Sequence, residues 1–195
     1  MNNIRIIPKP DSVSYDDICA VLDKIHAGES FDYNTSGLTG EQIAQRVGET
    51  GAMLVAMDGD TVVGTIAVCV EPVNRWDYRG DAGRIRFMGV LPSCRGQHVG
   101  TRLIEAGLRF ARERGLGAVV FATAAVNHKA IAMYRRAGCR YVDFMHYKNL
   151  GHYSVMGLYP LDGNAPSEAV CRIRFALKKA YVRLRYTPNG DRRLI

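Results

Sequence analysis

The stretch Arg84–Gly115, RIRFMGVLPSCRGQHVGTRLIEAGLRFARERG, reads as a strand, a glycine-bearing turn and a helix. Arg84 to Leu91 has strand character and Pro92 stops it. A helix opens close to Gly100 and runs to Arg114. Val99, Leu103, Ala106, Phe110 and Ala111 line one side, with Arg102, Glu105, Arg109 and Arg112 on the other. In that arrangement free backbone N–H groups and the positive end of the helix dipole can cradle an anion. Gly96 and Gly100 let the backbone approach a ligand, and Arg95 brings a forked cation suited to phosphate. An ordinary strand-to-helix turn, its glycines serving geometry alone, fits this stretch equally well. The signatures of a P-loop nucleotidase and of a dinucleotide fold are both missing.

Outward from this stretch, Ile4 to Ile7 reads as a first strand closed by Pro8 and Pro10. Tyr15 to Ala27 carries a helical face of Ile18, Val21, Leu22 and Ile25. Thr39, with Gln42 three residues on, caps a short helix to Val47. Ala52 to Met57 and Thr61 to Val70 form a hairpin through Asp58-Gly59-Asp60. The segment Glu71 to Gly83, holding the only tryptophan, Trp76, reads as a loop. Ala118 to Ala124 is a buried-type strand, Asn127 to Ala137 a second amphipathic helix, and Tyr141 to Tyr147 and His152 to Tyr159 a final strand pair. Antiparallel-looking strands followed by strand–helix–strand–helix–strand imply an α/β fold of mixed α+β character with a partly parallel centre.

The 195 residues suffice for one domain, expected over 1–160, with a C-terminal extension over 161–195. At 47% hydrophobic and 23% charged, the chain falls outside the disordered and low-complexity classes. No apolar stretch reaches the roughly 20 residues of a membrane span, and the start lacks an apolar leader region. Five widely spaced cysteines, without C-x-x-C or Cys/His clusters, point to a reducing compartment and no metal; the expected location is the cytoplasm. The formal charge of +7 lies mostly in the tail, where residues 161–195 hold 8 basic and 3 acidic groups. There Ile173, Leu177, Ala180, Tyr181 and Leu184 share a helical face, with Arg172, Lys178, Lys179, Arg183 and Arg185 around it. This reads first as a terminal helix packed on the core with its cations in water. Docking on an anionic membrane surface, on a polyanion such as RNA, or on a second subunit of a homodimer stays open.

RGQHVGT followed by RLIEAGLRFARERG resembles the acetyl-CoA-binding motif of the GNAT superfamily of N-acetyltransferases, [Q/R]-x-x-G-x-[G/A], with Arg95 at its first position and Gly100 at its last. His98 stands in place of a glycine of that motif. NHKAIAMYRRAGCRYVDF is similar to the family's second motif, and the resemblance covers roughly residues 4–159. It implies a mixed, mostly antiparallel sheet with helices on both faces and a splayed central pair of parallel strands. It also implies acetyl-CoA as co-substrate. The pyrophosphate would be held by Arg95, Gly96, Gln97, His98, Val99, Gly100 and Thr101, and the thioester by Met88, Gly89 and Val90. Asn127 would be a further cofactor contact, alongside its reading as a helix cap. Tyr134 matches the family's proton donor to the departing thiolate, although Ala130, Ile131, Tyr134 and Ala137 also form an apolar face suited to a core.

The base that deprotonates the acceptor is less marked. Glu71 is the first choice, with Asp77, Asp81, His146 and His152 behind it and a water relay as the residue-free alternative. The acceptor pocket implied by the resemblance lies between Glu29–Thr39 and Glu71–Gly83, where Glu29, Asp32, Tyr33, Trp76 and Tyr78 could receive a cationic amine. The sequence therefore reads as an N-acetyltransferase acting on a small-molecule or peptide amine by direct attack in a ternary complex. A non-catalytic acyl-CoA-binding module that docks through its basic tail is the alternative.

Overall fold

Two capping boxes fix the entry into the first two helices. The Ser14 hydroxyl accepts from the Asp17 N–H at 3.1 Å, and the Asp17 carboxylate accepts from the Ser14 N–H at 2.8 Å, opening α1 (Tyr15–His26). Thr39 and Gln42 do the same for α2 (Gly40–Val47). The computed structural model describes residues 4–27, 37–75, 78–147, 152–163 and 165–186. The remaining elements are β1 (Arg5–Pro8), β2 (Ala52–Asp58), β3 (Thr61–Arg75), β4 (Tyr78–Val90), α3 (Val99–Glu113), β5 (Ala118–Ala124), α4 (His128–Arg136), β6 (Arg140–Tyr147), β7 (His152–Pro160) and α5 (Glu168–Tyr186).

The strands form a seven-stranded sheet in the order β1-β2-β3-β4-β5-β7-β6. All neighbours are antiparallel except β4 and β5. One face carries α1 and α2 over Val55, Ala67, Cys69 and Phe87. The other carries α3 and α4 over Ile66, Ile85, Val119 and Phe121. The α/β assignment of mixed α+β character, with helices on both faces, holds.

The expected loop over Glu71–Gly83 is corrected: most of it is strand. β3 and β4 pair from Arg75↔Tyr78 to Gly64↔Val90, making one long hairpin. The sequence signal was misleading because of Pro72, which has no N–H to give a ladder. The pairing of β2 with β3 ends at Ala52↔Val68, so Pro72 lies where β3 has a partner on one side only, and the missing donor costs nothing. Tyr78, placed beforehand in the acceptor pocket, is instead buried with Ala82, Ala118 and Leu158. Its hydroxyl donates to the Asp81 carbonyl at 2.9 Å, and burial raises its phenol above the usual range.

α5 lies along β6, so the edge strand of the sheet is covered rather than left open. It packs through Cys171, Phe175 and Val182. The face picked out in the sequence as the packing face, Ile173, Leu177, Tyr181 and Leu184, is turned outward. Periodicity locates an apolar face on a helix but does not say which of two such faces the fold uses. Phe110 on α3 likewise falls outside the fully buried set and lies beneath the Arg114 guanidinium at 5.3 Å, while Ile104 and Leu108 take up core positions.

Candidate active site

β4 and β5 run in parallel only from Ala82↔Ala118 to Arg84↔Val120. β5 then continues to Ala124 against β7, and β4 continues to Val90 against β3. The two strands therefore diverge, and from Ile85 to Val90 the edge of β4 that faces β5 has no strand partner among the described residues. Those backbone groups are available to an extended, amide-bearing ligand.

A bulge re-aims β4 at this point. Thr65 pairs with Gly89 and Ala67 with Arg86, so Ile66 alone opposes Phe87 and Met88. Phe87 takes a positive φ of 51°, costly for an aromatic residue. The Thr65 hydroxyl holds it there by donating to the Phe87 carbonyl at 2.6 Å, within the buried core. The bulge leaves Phe87 on the α1/α2 side and Met88 on the side of α3 and α4. Gly89 follows, and its place is set by α1: a Cβ there would come within 2.5 Å of the Ile25 side chain.

Tyr134 of α4 closes the divergent end. Its hydroxyl lies 3.2 Å from the Met88 sulfur on β4, and its ring stacks on Phe121 of β5 at 3.9 Å. The Tyr134 carbonyl accepts from the Tyr159 hydroxyl at 3.0 Å. Burial pushes the Tyr134 phenol well above its ordinary value, so it stays protonated throughout the physiological range. Tyr134 is thus a core aromatic whose hydroxyl reaches β4 in the gap. Phe121 was missed beforehand as part of this site. Its ring needs Gly157 on β7, where any Cβ would collide with it.

The turn before α3 comprises a short 3-10 segment, Pro92–Cys94, and then Arg95 to His98. Gly96 has φ 82° and His98 φ 59°, so His98 adopts the left-handed backbone that a glycine would take in its place. His98 stands at the N-cap of α3 without capping it through its side chain. The first-turn N–H groups of α3 therefore lack a side-chain partner from the cap and face the turn. The fork expected of Arg95 is used internally: Nε donates to the Val90 carbonyl at 3.2 Å and one Nη to the Ile25 carbonyl at 3.1 Å. It ties the end of β4 to the last turn of α1. What the turn itself offers an anion is its backbone N–H groups and the helix dipole.

Asn127 caps α4, its Oδ1 accepting from the Ala130 N–H at 3.1 Å. Glu71 is held by two guanidiniums, those of Arg84 and Arg86, the latter at 3.3 Å. It pairs across the ladder with Ala82, six residues before Met88, or about 20 Å along a strand. Its charge is matched there by the two arginines. Asp81 is exposed at the far end of β4, and the His146 ring packs 4.8 Å from Tyr153. Glu29, Asp32, Tyr33, Trp76, Asp77 and the His152 side chain lie outside the described residues. Among the described residues no group of three or more His, Cys, Asp or Glu is arranged to hold a metal.

The N-alpha-acetyltransferase 30 of Schizosaccharomyces pombe is 31% identical over 103 residues, which is 53% of this chain and 63% of that protein. The IAA acetyltransferase of Azospirillum brasilense is 36% identical over 85 residues, 44% of this chain and 52% of that protein. The chain thus spans between half and two thirds of the length of these relatives. A putative acetyltransferase from Salmonella typhimurium, solved with its cofactor acetyl-CoA, superposes with a TM-score of 0.68 at 14% identity, covering 85% of this chain and 98% of its own. At that identity the likeness shows the fold. A family profile, Acetyltransferase (GNAT) family, matches residues 22–139, a span that includes the bulge, the turn, Asn127 and Tyr134. The chain therefore belongs to the GNAT family of acetyltransferases.

Proposed function

We propose that this protein transfers an acetyl group from acetyl-CoA to a primary amine by direct attack in a ternary complex. The observation that carries the reading is the Tyr134 hydroxyl, held between β4 and β5 at the strand edge left open by their divergence. In this reading the turn from Arg95 to Thr101 receives the pyrophosphate through backbone N–H groups. The free edge of Met88, Gly89 and Val90 receives the pantetheine arm and thioester, and Asn127 borders the same ligand. The amine nitrogen attacks the carbonyl carbon, the carbon–sulfur bond breaks, and the thiolate leaves. Tyr134, protonated and buried, gives that sulfur a hydrogen bond and a proton, and it is restored by the second proton that the nitrogen sheds as the amide forms. The ammonium proton passes to solvent through water, since the carboxylate first chosen as base is engaged elsewhere. We take residues 1–160 as the transferase unit and 161–195 as an extension whose helix rests on its edge.

The acceptor is a peptide or a small-molecule amine. The name of the fission-yeast relative, an N-alpha-acetyltransferase, makes peptide N-termini the first class to try. The test is acetyl-CoA-dependent thiol release across a panel of N-terminal peptides and small primary amines. The proposal predicts release above the hydrolysis blank with at least one amine class, with acetyl recovered on the acceptor nitrogen. Binding of acetyl-CoA with no release on any amine would support the non-catalytic module instead.

A further inference from the structure

The outward face of α5 carries an apolar stripe that the sheet does not use. Val170, Ile173, Leu177, Tyr181 and Leu184 are exposed, Leu177 by 69% and Leu184 by 89%. At 3.6 residues per turn they fall within about 80° of arc, and Ala169, Ala176 and Ala180 extend the apolar surface on one side. The cations flank this stripe in two rows. Arg174, Lys178 and Arg185 run along one border, and Arg172, Lys179 and Arg183 along the other. The single acidic residue of the helix, Glu168, is at its start. Cys171, Phe175 and Val182 hold the opposite side of α5 on the sheet, so the stripe is presented by a docked element.

An apolar surface of this continuity on a soluble face calls for an occupant. A second copy is disfavoured by charge: stripe against stripe would bring two cationic rows from each helix together without intervening acids. A nucleic acid would satisfy the cations but leave Leu177 and Leu184 in water. A bilayer surface bearing anionic headgroups satisfies both at once. The apolar side chains enter the headgroup–acyl boundary while the arginine and lysine stems extend sideways to phosphates. We propose that the outward face of α5 docks this protein on an anionic membrane surface, lying in the interface plane. Among the described residues no helix is long and apolar enough to cross a membrane, so this contact is peripheral.

Co-sedimentation of the full chain with phosphatidylcholine–phosphatidylserine vesicles, against phosphatidylcholine alone, tests the proposal. We expect binding to the anionic vesicles, weakened by salt. The double substitution Leu177→Asp and Leu184→Asp should reduce it by about tenfold or more while leaving circular dichroism unchanged, because both side chains are already exposed. Replacing Arg174 and Lys178 by Gln should weaken binding to the anionic vesicles selectively. Failure to bind the anionic vesicles would overturn the proposal, as would binding insensitive to the stripe variants. A homodimer in light scattering that the Leu177→Asp, Leu184→Asp variant dissociates would assign the face to a second copy instead.

Discussion

Tyr134 meets two demands that pull in opposite directions. Its ring needs burial to stack on Phe121, and in the proposed reaction its hydroxyl needs a route to a reacting sulfur. Contact with the Met88 thioether at 3.2 Å shows that the hydroxyl can lie beside a polarisable sulfur in the gap between the strands. Burial raises its pKa, which makes it a reliable hydrogen-bond donor at neutral pH rather than a strong acid. Tyr134→Phe should therefore lower kcat by about 100-fold, leave acetyl-CoA affinity near the wild-type value, and keep the fold. Turnover unchanged in that variant would remove Tyr134 from the chemistry. At this scale the motif residues were legible because their spacing is local. The ion-pair partners of Glu71 were not legible, because a carboxylate's neighbours across a hairpin, here Arg84 and Arg86, depend on register. The internal bonds of Arg95 were not legible either, because sequence does not show that the Ile25 carbonyl, 70 positions away, lies within its reach.

The elements α1 to α4 and most strands follow from periodicity and caps, which act over a few residues. The elements misjudged are those whose character depends on a partner. β3 and β4 extend through Pro72 because β2 has already ended, and α5 turns its more obvious apolar face outward because the sheet edge takes Cys171, Phe175 and Val182. Gly89 is a sequence sign of a bulge in β4, but the strained residue is not marked: Phe87 looks like an ordinary strand aromatic until Thr65 on the neighbouring strand pins its carbonyl. β7 contributes to the site through an absence of side chain: Gly157 makes room for Phe121, on which Tyr134 stacks. Gly157→Ala should cost about 1–3 kcal/mol in urea unfolding and lower turnover along with stability. An unchanged midpoint would show that the Phe121 ring is free to shift, and that the stack does not fix Tyr134.

Across the whole molecule, buried and half-buried thiols and phenols set a ceiling on pH tolerance. Burial pushes Cys69 from 9.0 up to about 11 and Cys139 from 9.0 up to about 12. It also raises Tyr134, Tyr141 and Tyr159 above 10.0. The folded chain keeps these protons at a pH where the unfolded chain releases them. Their contribution to stability is therefore full below pH 9.0 and declines as pH rises through about 11 and 12. Urea midpoints should be level from neutral pH to near 9 and then fall; a midpoint that rose above pH 9 would contradict the burial of these groups.

In the proposed reaction one extended ligand, with a diphosphate at one end and a thioester at the other, lies along the divergence of β4 and β5, the bulge beside it and the start of α3. A calorimetric titration of acetyl-CoA, with ATP and NAD as controls, tests this most directly. Saturable binding of acetyl-CoA with neither control competing is the predicted result. No binding of acetyl-CoA, or equal binding of ATP, would contradict the assignment of the site and with it the proposed transfer.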